Sequence, residues 1–252
     1  MLSHMSTMSV ARIMAQRPEY NAPLLNVMER NCQQDVMMIG DSVRIRDALS
    51  GTYMFSVGSL CELYQLMDDV IDKLDTFLIN NADYKNEISR KFPKAVISEF
   101  NCYMMQKKDC IQRTEIIEGV ETTSLDLGWL DFILEKYRDR EFGNELYISD
   151  RILHGPGLGL RVQGEKAAFV LQHKDGESGP LVVDSRVRGM GLGSYLLKRF
   201  NRLLLKNNDT LYGFVKPENN ASAHMMLSSG YKLTQNNVIW VYRMKNGTLY
   251  LP

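Results

Sequence analysis

From residue 157 onward the apolar and polar positions form short alternating runs separated by glycine turns, and then switch to helical spacing. Gly157 to Val162 reads as a strand, Gly164-Glu165 as a turn and Ala167 to His173 as a second strand. Lys174-Asp175-Gly176 carries the Asp-Gly signature of a hairpin. Leu181 to Val183 is an apolar strand, and Arg188-Gly189-Met190-Gly191-Leu192-Gly193 a glycine-rich loop. Leu192, Leu196, Phe200, Leu203 and Leu204 line one face of a helix over 192–205. A strand at Thr210 to Val215, a helix at Ala221 to Ser229 stopped by Gly230, and an alternating strand at Val238 to Met244 complete the pattern.

The first half reads as mixed α and β. A helix is expected over Asn21 to Gln33, a short strand at Val36 to Ile39 and a turn at Gly40-Asp41-Ser42. Thr52 to Val57 is a clearer strand. Ser59 then serves as a helix cap with Glu62 three residues on, the capping-box spacing. Leu60, Leu63, Leu66, Met67, Val70, Ile71 and Leu74 follow at helical intervals. A short helix at Asp83 to Phe92, two strands within 95–118, and a connecting helix at Leu125 to Tyr137 are expected. The fold class is therefore α/β, divided into an N-terminal half, 1–125, and a C-terminal half, 126–252.

The chain has 252 residues, 44% hydrophobic and 24% charged, enough to bury a sizeable core without disulfide or metal staples. No apolar run approaches the roughly 20 residues of a membrane span, and Met1-Leu2-Ser3-His4-Met5 lacks the basic-then-apolar start of a signal peptide. Zero net charge argues against a nucleic-acid partner. The halves differ, however: residues 1–125 carry a net −4 and residues 126–252 a net +4, so the second half is the better host for an anion. Cys32, Cys61, Cys102 and Cys110 form no CxxC pair, and His4, His154, His173 and His224 are scattered. These imply reduced thiols, a cytoplasmic setting and no metal site.

The sharpest chemical signal is the strand, glycine loop and helix at 181–205. Glycines at 189, 191 and 193 permit positive φ and close backbone approach. Successive N–H groups and a helix N-terminus favour an anion, and Arg188 adds a cation at the rim. A phosphate or pyrophosphate is the natural ligand. A P-loop is excluded, because no Lys-Ser or Lys-Thr follows the glycines. A dinucleotide fingerprint fails at Ser194, where the third glycine should stand. A glycine-rich turn without a ligand is the plain alternative.

Arg188-x-x-Gly191-x-Gly193 resembles the acetyl-coenzyme A loop of the GCN5-related N-acetyltransferase (GNAT) superfamily. Asn219-x-x-Ser222-x-x-Met225-Met226-x-x-x-Gly230-Tyr231 resembles the same superfamily's Asn-x-x-Ala/Ser…Gly-Phe segment. His173-x-Asp175-Gly176-Glu177-Ser178-Gly179 is similar to its FR47-like branch. The resemblance covers 157–244 and implies a GNAT fold there. It implies cofactor contacts at Leu181, Val182, Val183, Arg188, Gly189, Met190, Gly191, Leu192, Gly193, Ser194, Asn219 and Ser222. Some relatives in the glycine N-acyltransferase-like branch carry an N-terminal half that is a degenerate copy of the same fold. The run from Thr52–Val57 into the helix at Ser59 has that form.

The resemblance implies acetyl transfer from acetyl-coenzyme A to the primary amine of a small-molecule or peptide acceptor. Transfer would be direct, since no Cys lies in the second half, and the backbone amides of Leu181 to Val183 would stabilise the oxyanion. Many relatives place a Tyr general acid where Met226 stands; Tyr195 and Tyr231 are the substitutes at hand. For the base, His173 has an ordinary pKa suited to neutral pH, and Glu177 could take the proton through water. The expected roles are Glu177 as base and His173 as the group that orients the acceptor, with Asp175 spent on the turn. The alternative is a coenzyme A-binding sensor without turnover. The chain is expected to act as a monomer or homodimer, with no membrane partner.

Overall fold

The structure, a computed structural model, describes residues 7–110, 116–137, 144–245 and 248–249. The N-terminal Met1–Met5 stretch and part of the second strand expected within 95–118 lie outside those residues. The chain opens with α1 (Thr7–Met14), α2 (Pro18–Glu29), β1 (Gln33–Ile39), β2 (Ser42–Asp47), β3 (Tyr53–Ser56), α3 (Leu60–Met67) and β4 (Thr76–Ile79). Then come α4 (Lys85–Lys91), β5 (Val96–Gln106), β6 (Val120–Ser124), α5 (Leu130–Lys136) and α6 (Glu145–His154). The rest is β7 (Gly157–Val162), β8 (Glu165–Gln172), β9 (Ser178–Val183), α7 (Leu192–Leu204), β10 (Thr210–Val215), α8 (Asn220–Ser228), β11 (Lys232–Tyr242), β12 (Met244–Lys245) and β13 (Thr248–Leu249). Among the described residues no helix is long and apolar enough to cross a membrane.

Two compact units divide the chain differently from the expected cut at 125/126. One comprises 1–104, 214–219 and 233–252; the other comprises 105–213 and 220–232. The tail returns to the first unit because β11 is hydrogen-bonded antiparallel to β4, with Trp240 opposite Leu78. Periodicity read locally cannot show so long-range a pairing.

In the first unit β1, β2 and β3 run antiparallel and β3 pairs parallel with β4. Phe55, Leu63, Leu66, Phe77, Ile79, Ile239 and Val241 form its core. Ser59 caps α3 as expected, its Oγ accepting from the Glu62 N–H at 3.3 Å. The box is not reciprocal: the Glu62 carboxylate accepts from Ser42 Oγ at 2.7 Å. The helix expected to reach Leu74 tightens into a 3₁₀ turn over Asp68–Lys73. There the buried Arg44 guanidinium donates to Leu66 O at 2.6 Å and to Asp69 Oδ1 at 2.5 Å. That buried Arg also explains why β2 escapes a sequence reading. Arg44 and Arg46 look like a solvated face, yet Arg44 is 2% exposed and its charge is satisfied by Asp35 and Asp69.

In the second unit β6, β7, β8 and β9 form an antiparallel sheet in that order. Phe169 and Leu171 on β8 pack with Trp129, Ile133, Ile148 and Ile152 from the α5–α6 side. Alternation along the strand turns Ala168 and Val170 to the opposite face, and α7 packs against β8. Trp129 lies so close to Gly159 that a Cβ there would clash with the edge of the indole ring. The expected helix at 125–137 is a 3₁₀ turn at Leu127–Trp129 followed by α5. From 157 to 230 the expected elements stand within two or three residues of their predicted ends.

Candidate active site

The glycine loop joins the end of β9 to α7. Gly189 and Gly191 have φ of +80° and +75°, and a Cβ at either would meet nothing within 4 Å. Both positions therefore border open space, as a cradle for a large anion requires. Gly191 is the N-cap of α7 and supplies no side-chain cap. The first amides of a 13-residue helix are thus left for another acceptor. Gly193 serves differently: its Cβ position lies 3.0 Å from Met225 Sδ and 3.4 Å from Val183 Cγ2, so it lets α7 pack closely.

The loop is held at its root by Asp184. This buried carboxylate accepts from the Arg186 N–H at 2.9 Å, from Arg186 Nε at 3.1 Å and from Lys136 Nζ at 3.0 Å. Arg186 above all, and then Lys136, hold its pKa far below the usual carboxylate range. Sequence reasoning passed over Asp184, since its partners come from the next turn and from α5. Arg188 reaches back to β9, its Nε donating to Val183 O at 3.0 Å. Ser194 Oγ lies 2.9 Å from Ser228 Oγ, and Ser228 Oγ donates to Met225 O at 3.0 Å. The Ser194 hydroxyl is therefore tied to α8, and the residue offers the site its backbone amide.

β9 is the edge strand of its sheet, paired with β8. The Asp184 N–H donates to Ala167 O at 2.8 Å, and Val182 stands opposite Phe169. In an antiparallel ladder alternate residues point the same way. Val182 thus faces β8, while Leu181 and Val183 turn their amides to the outer edge. Of the three amides expected to meet an oxyanion, the one at Val182 is already in the ladder. The register shifts between Val170 and Gln172, a bulge next to Leu181.

The β8–β9 turn carries the expected acid–base pair. The Glu177 N–H donates to Asp175 Oδ1 at 3.1 Å, so Asp175 is spent on the turn as expected. The His173 N–H donates to Glu177 O at 3.0 Å, which brings the two residues together through backbone. Burial, aided by the Arg151 charge, pulls the His173 pKa down to about 4. That corrects one expectation: at neutral pH His173 is a neutral, weak base. Its Nδ1 lies 2.7 Å from the hydroxyl of Tyr147 on α6, a residue absent from the sequence reading. The signal was present in Asn144, which caps α6 by accepting the Tyr147 N–H at 2.9 Å, and in the i, i+4 pair Ile148 and Ile152.

Both substitute acids are buried. Tyr231 is 2% exposed and donates to Asn201 Oδ1 at 2.9 Å, while burial pushes its pKa up. Tyr195 is buried in α7 with the Arg199 guanidinium over its ring. Met226 is likewise buried. Gly230, at φ +99°, ends α8 as expected. Ser222 lies in the first turn of α8, and Asn219 immediately precedes that helix, its N–H closing a turn on Lys216 O at 2.9 Å.

These features define a GNAT fold, and comparison with known proteins agrees. Residues 157–241 match the family model described as FR47-like protein. A Drosophila protein of known structure is similar at 15% identity, covering 98% of this chain and 99% of its own, with a TM-score of 0.71. A GCN5-related N-acetyltransferase from Kribbella flavida is similar at 12% identity, with coverage of 96% and 98% and a TM-score of 0.57. A GCN5-related N-acetyltransferase-like protein from Streptococcus suis gives 12%, 94% and 100%, and 0.50. No curated protein sequence matches the chain.

Proposed function

We propose that this protein is an N-acetyltransferase that moves an acetyl group from acetyl-coenzyme A to the primary amine of a small-molecule or peptide acceptor. The observation that carries the reading is the open glycine cradle of Gly189 and Gly191 at the uncapped start of α7, beside the free edge of β9. The residues fit the cofactor. Arg188, Gly189, Met190, Gly191, Leu192, Gly193 and Ser194 would hold the pyrophosphate, and Leu181, Val182 and Val183 would lie along the pantetheine arm. Asn219 and Ser222 are further proposed contacts. Bound acetyl-coenzyme A supplies an activated acetyl thioester.

The chain's own contributions follow. The outward amides of Leu181 and Val183 are donors for charge developing on the acyl oxygen. Pro180 offers none. Glu177 takes the acceptor's proton through water, because His173 at a pKa of about 4 holds a proton poorly at neutral pH. His173 orients the acceptor. Loss of a thiolate, whose conjugate acid has a pKa of about 8.5, needs no full protonation, so Met226 in place of Tyr is compatible with turnover.

That same Met226 favours the second reading, a coenzyme A sensor without catalysis. Thiol release from acetyl-coenzyme A against a broad amine library separates the two. Amine-dependent release supports the transferase; tight coenzyme A binding with no release across the library supports the sensor.

A further inference from the structure

Tyr147 and His173 sit together at the β8–β9 turn with a hydroxyl-to-Nδ1 distance of 2.7 Å. Their ring centroids are 5.8 Å apart, at an interplanar angle of 32°. The backbone N–H of Lys174 also points at the Tyr147 oxygen, at 3.4 Å. That oxygen accepts from Lys174, and its own hydrogen can be directed at Nδ1. A phenol is a better donor than a neutral imidazole N–H, and an imidazole nitrogen a better acceptor than a phenol oxygen. The favoured direction is Tyr147 donating to Nδ1, with the ring hydrogen of His173 on Nε2.

The charged groups around the pair are Arg151 and Asp150 on α6 and Lys174, Asp175 and Glu177 on the turn. Asp150 accepts from Arg151 at 3.0 Å and from Lys174 at 3.3 Å, which binds the two cations to one carboxylate. Burial and the Arg151 charge keep the imidazole neutral.

We propose that Tyr147 is a positioning residue for His173, fixing the imidazole as the Nε2–H tautomer so that His173 meets the acceptor as a hydrogen-bond donor. The role toward the acceptor rests on the transferase reading above. The donor contacts an accepting atom of the substrate other than the attacking nitrogen, whose lone pair must stay free. Glu177 is then left as the base at this turn.

The test uses the full chain labelled with ¹⁵N-histidine. Two-bond proton–nitrogen correlations at neutral pH report the tautomer, with the His173 signals assigned by their loss in His173→Asn. The proposal expects the Nε2–H pattern in the native chain. Tyr147→Phe should give mixed tautomers and a higher imidazole titration midpoint, because the neutral form loses its donor. It should also raise KM for the acceptor about tenfold, the scale of one hydrogen bond, with KM for acetyl-coenzyme A unchanged. An Nδ1–H pattern in the native chain overturns the proposal, as does a Tyr147→Phe chain with the native tautomer and native acceptor KM. The spectrum needs no turnover. If no amine is acetylated, the transferase reading and the role toward the acceptor fall, and the tautomer assignment still stands or falls on the spectrum.

Discussion

Arg188 Nε donates to the carbonyl oxygen of Val183 across 3.0 Å, tying the rim of the glycine loop to the last residue of β9. Val183 is one of the two residues whose amides face the outer edge of that strand, so the contact joins the loop proposed for the pyrophosphate to the edge proposed for the acyl group. The terminal nitrogens of the guanidinium take no part in that bond and are the proposed phosphate donors. Arg188→Ala should raise KM for acetyl-coenzyme A by roughly tenfold to a hundredfold, the scale of a charge-assisted hydrogen bond. Turnover at saturating cofactor should fall much less. Steady-state kinetics with varied acetyl-coenzyme A check this; unchanged KM with collapsed turnover would contradict it.

Glu177→Gln keeps the side chain's shape and removes its basicity. Turnover should drop by about 10²–10⁴-fold, the usual worth of a general base, while calorimetric affinity for acetyl-coenzyme A stays the same. Full turnover in Glu177→Gln from pH 6 to pH 9 would show, by ordinary rate assays, that the proton leaves another way.

His173 gives a stability signature. Its folded pKa of about 4 lies below the ordinary value near 6.5. The unfolded chain therefore binds the extra proton first as pH falls. The contribution is whole above about pH 6.5 and is lost as pH drops toward 4, on the order of 1–3 kcal/mol in all. Chemical denaturation of the native chain and His173→Asn across that window should show a steeper acid loss in the native chain. Parallel curves would refute it.

Asp184 should behave as the anchor of the loop. Asp184→Asn replaces a buried carboxylate that accepts from Arg186 and Lys136, and should cost about 1.5–3 kcal/mol. The carboxylate's contribution is present above the unfolded value near 3.9 and fades as pH falls below it, because the folded pKa is lowered. Denaturation midpoints at pH 7 and pH 3 check both statements, with the gap between native and variant expected to shrink at the lower pH.

The fold from β7 to α8 was legible because each element there carries a local signal: Asp-Gly at the hairpin, glycines before α7, Gly230 after α8. The return of β11 to β4 was not, since a strand's partner is chosen by burial across some 160 positions of sequence. At the site, the open loop could be read from glycine spacing alone. Asp184, Tyr147 and the outward turn of Leu181 and Val183 could not, because each depends on a partner from another element or on ladder phase. His173 looked like a base for the same reason: its ordinary pKa belongs to the free side chain, and burial changes it.

The glycine cradle itself is the central claim, and a calorimetric titration of acetyl-coenzyme A into the native chain and Gly191→Asp tests it most directly. A side chain at Gly191 enters open space, though at φ +75° its backbone is strained, and Asp adds negative charge where the pyrophosphate is proposed to lie. Gly193 is the poorer choice, since its Cβ would press on Met225 and Val183. Circular dichroism matching the native chain shows that Gly191→Asp is folded. Saturable binding to the native chain is expected, with at least a hundredfold weaker binding to the variant, about 2.7 kcal/mol or more. Undiminished binding to folded Gly191→Asp would contradict it.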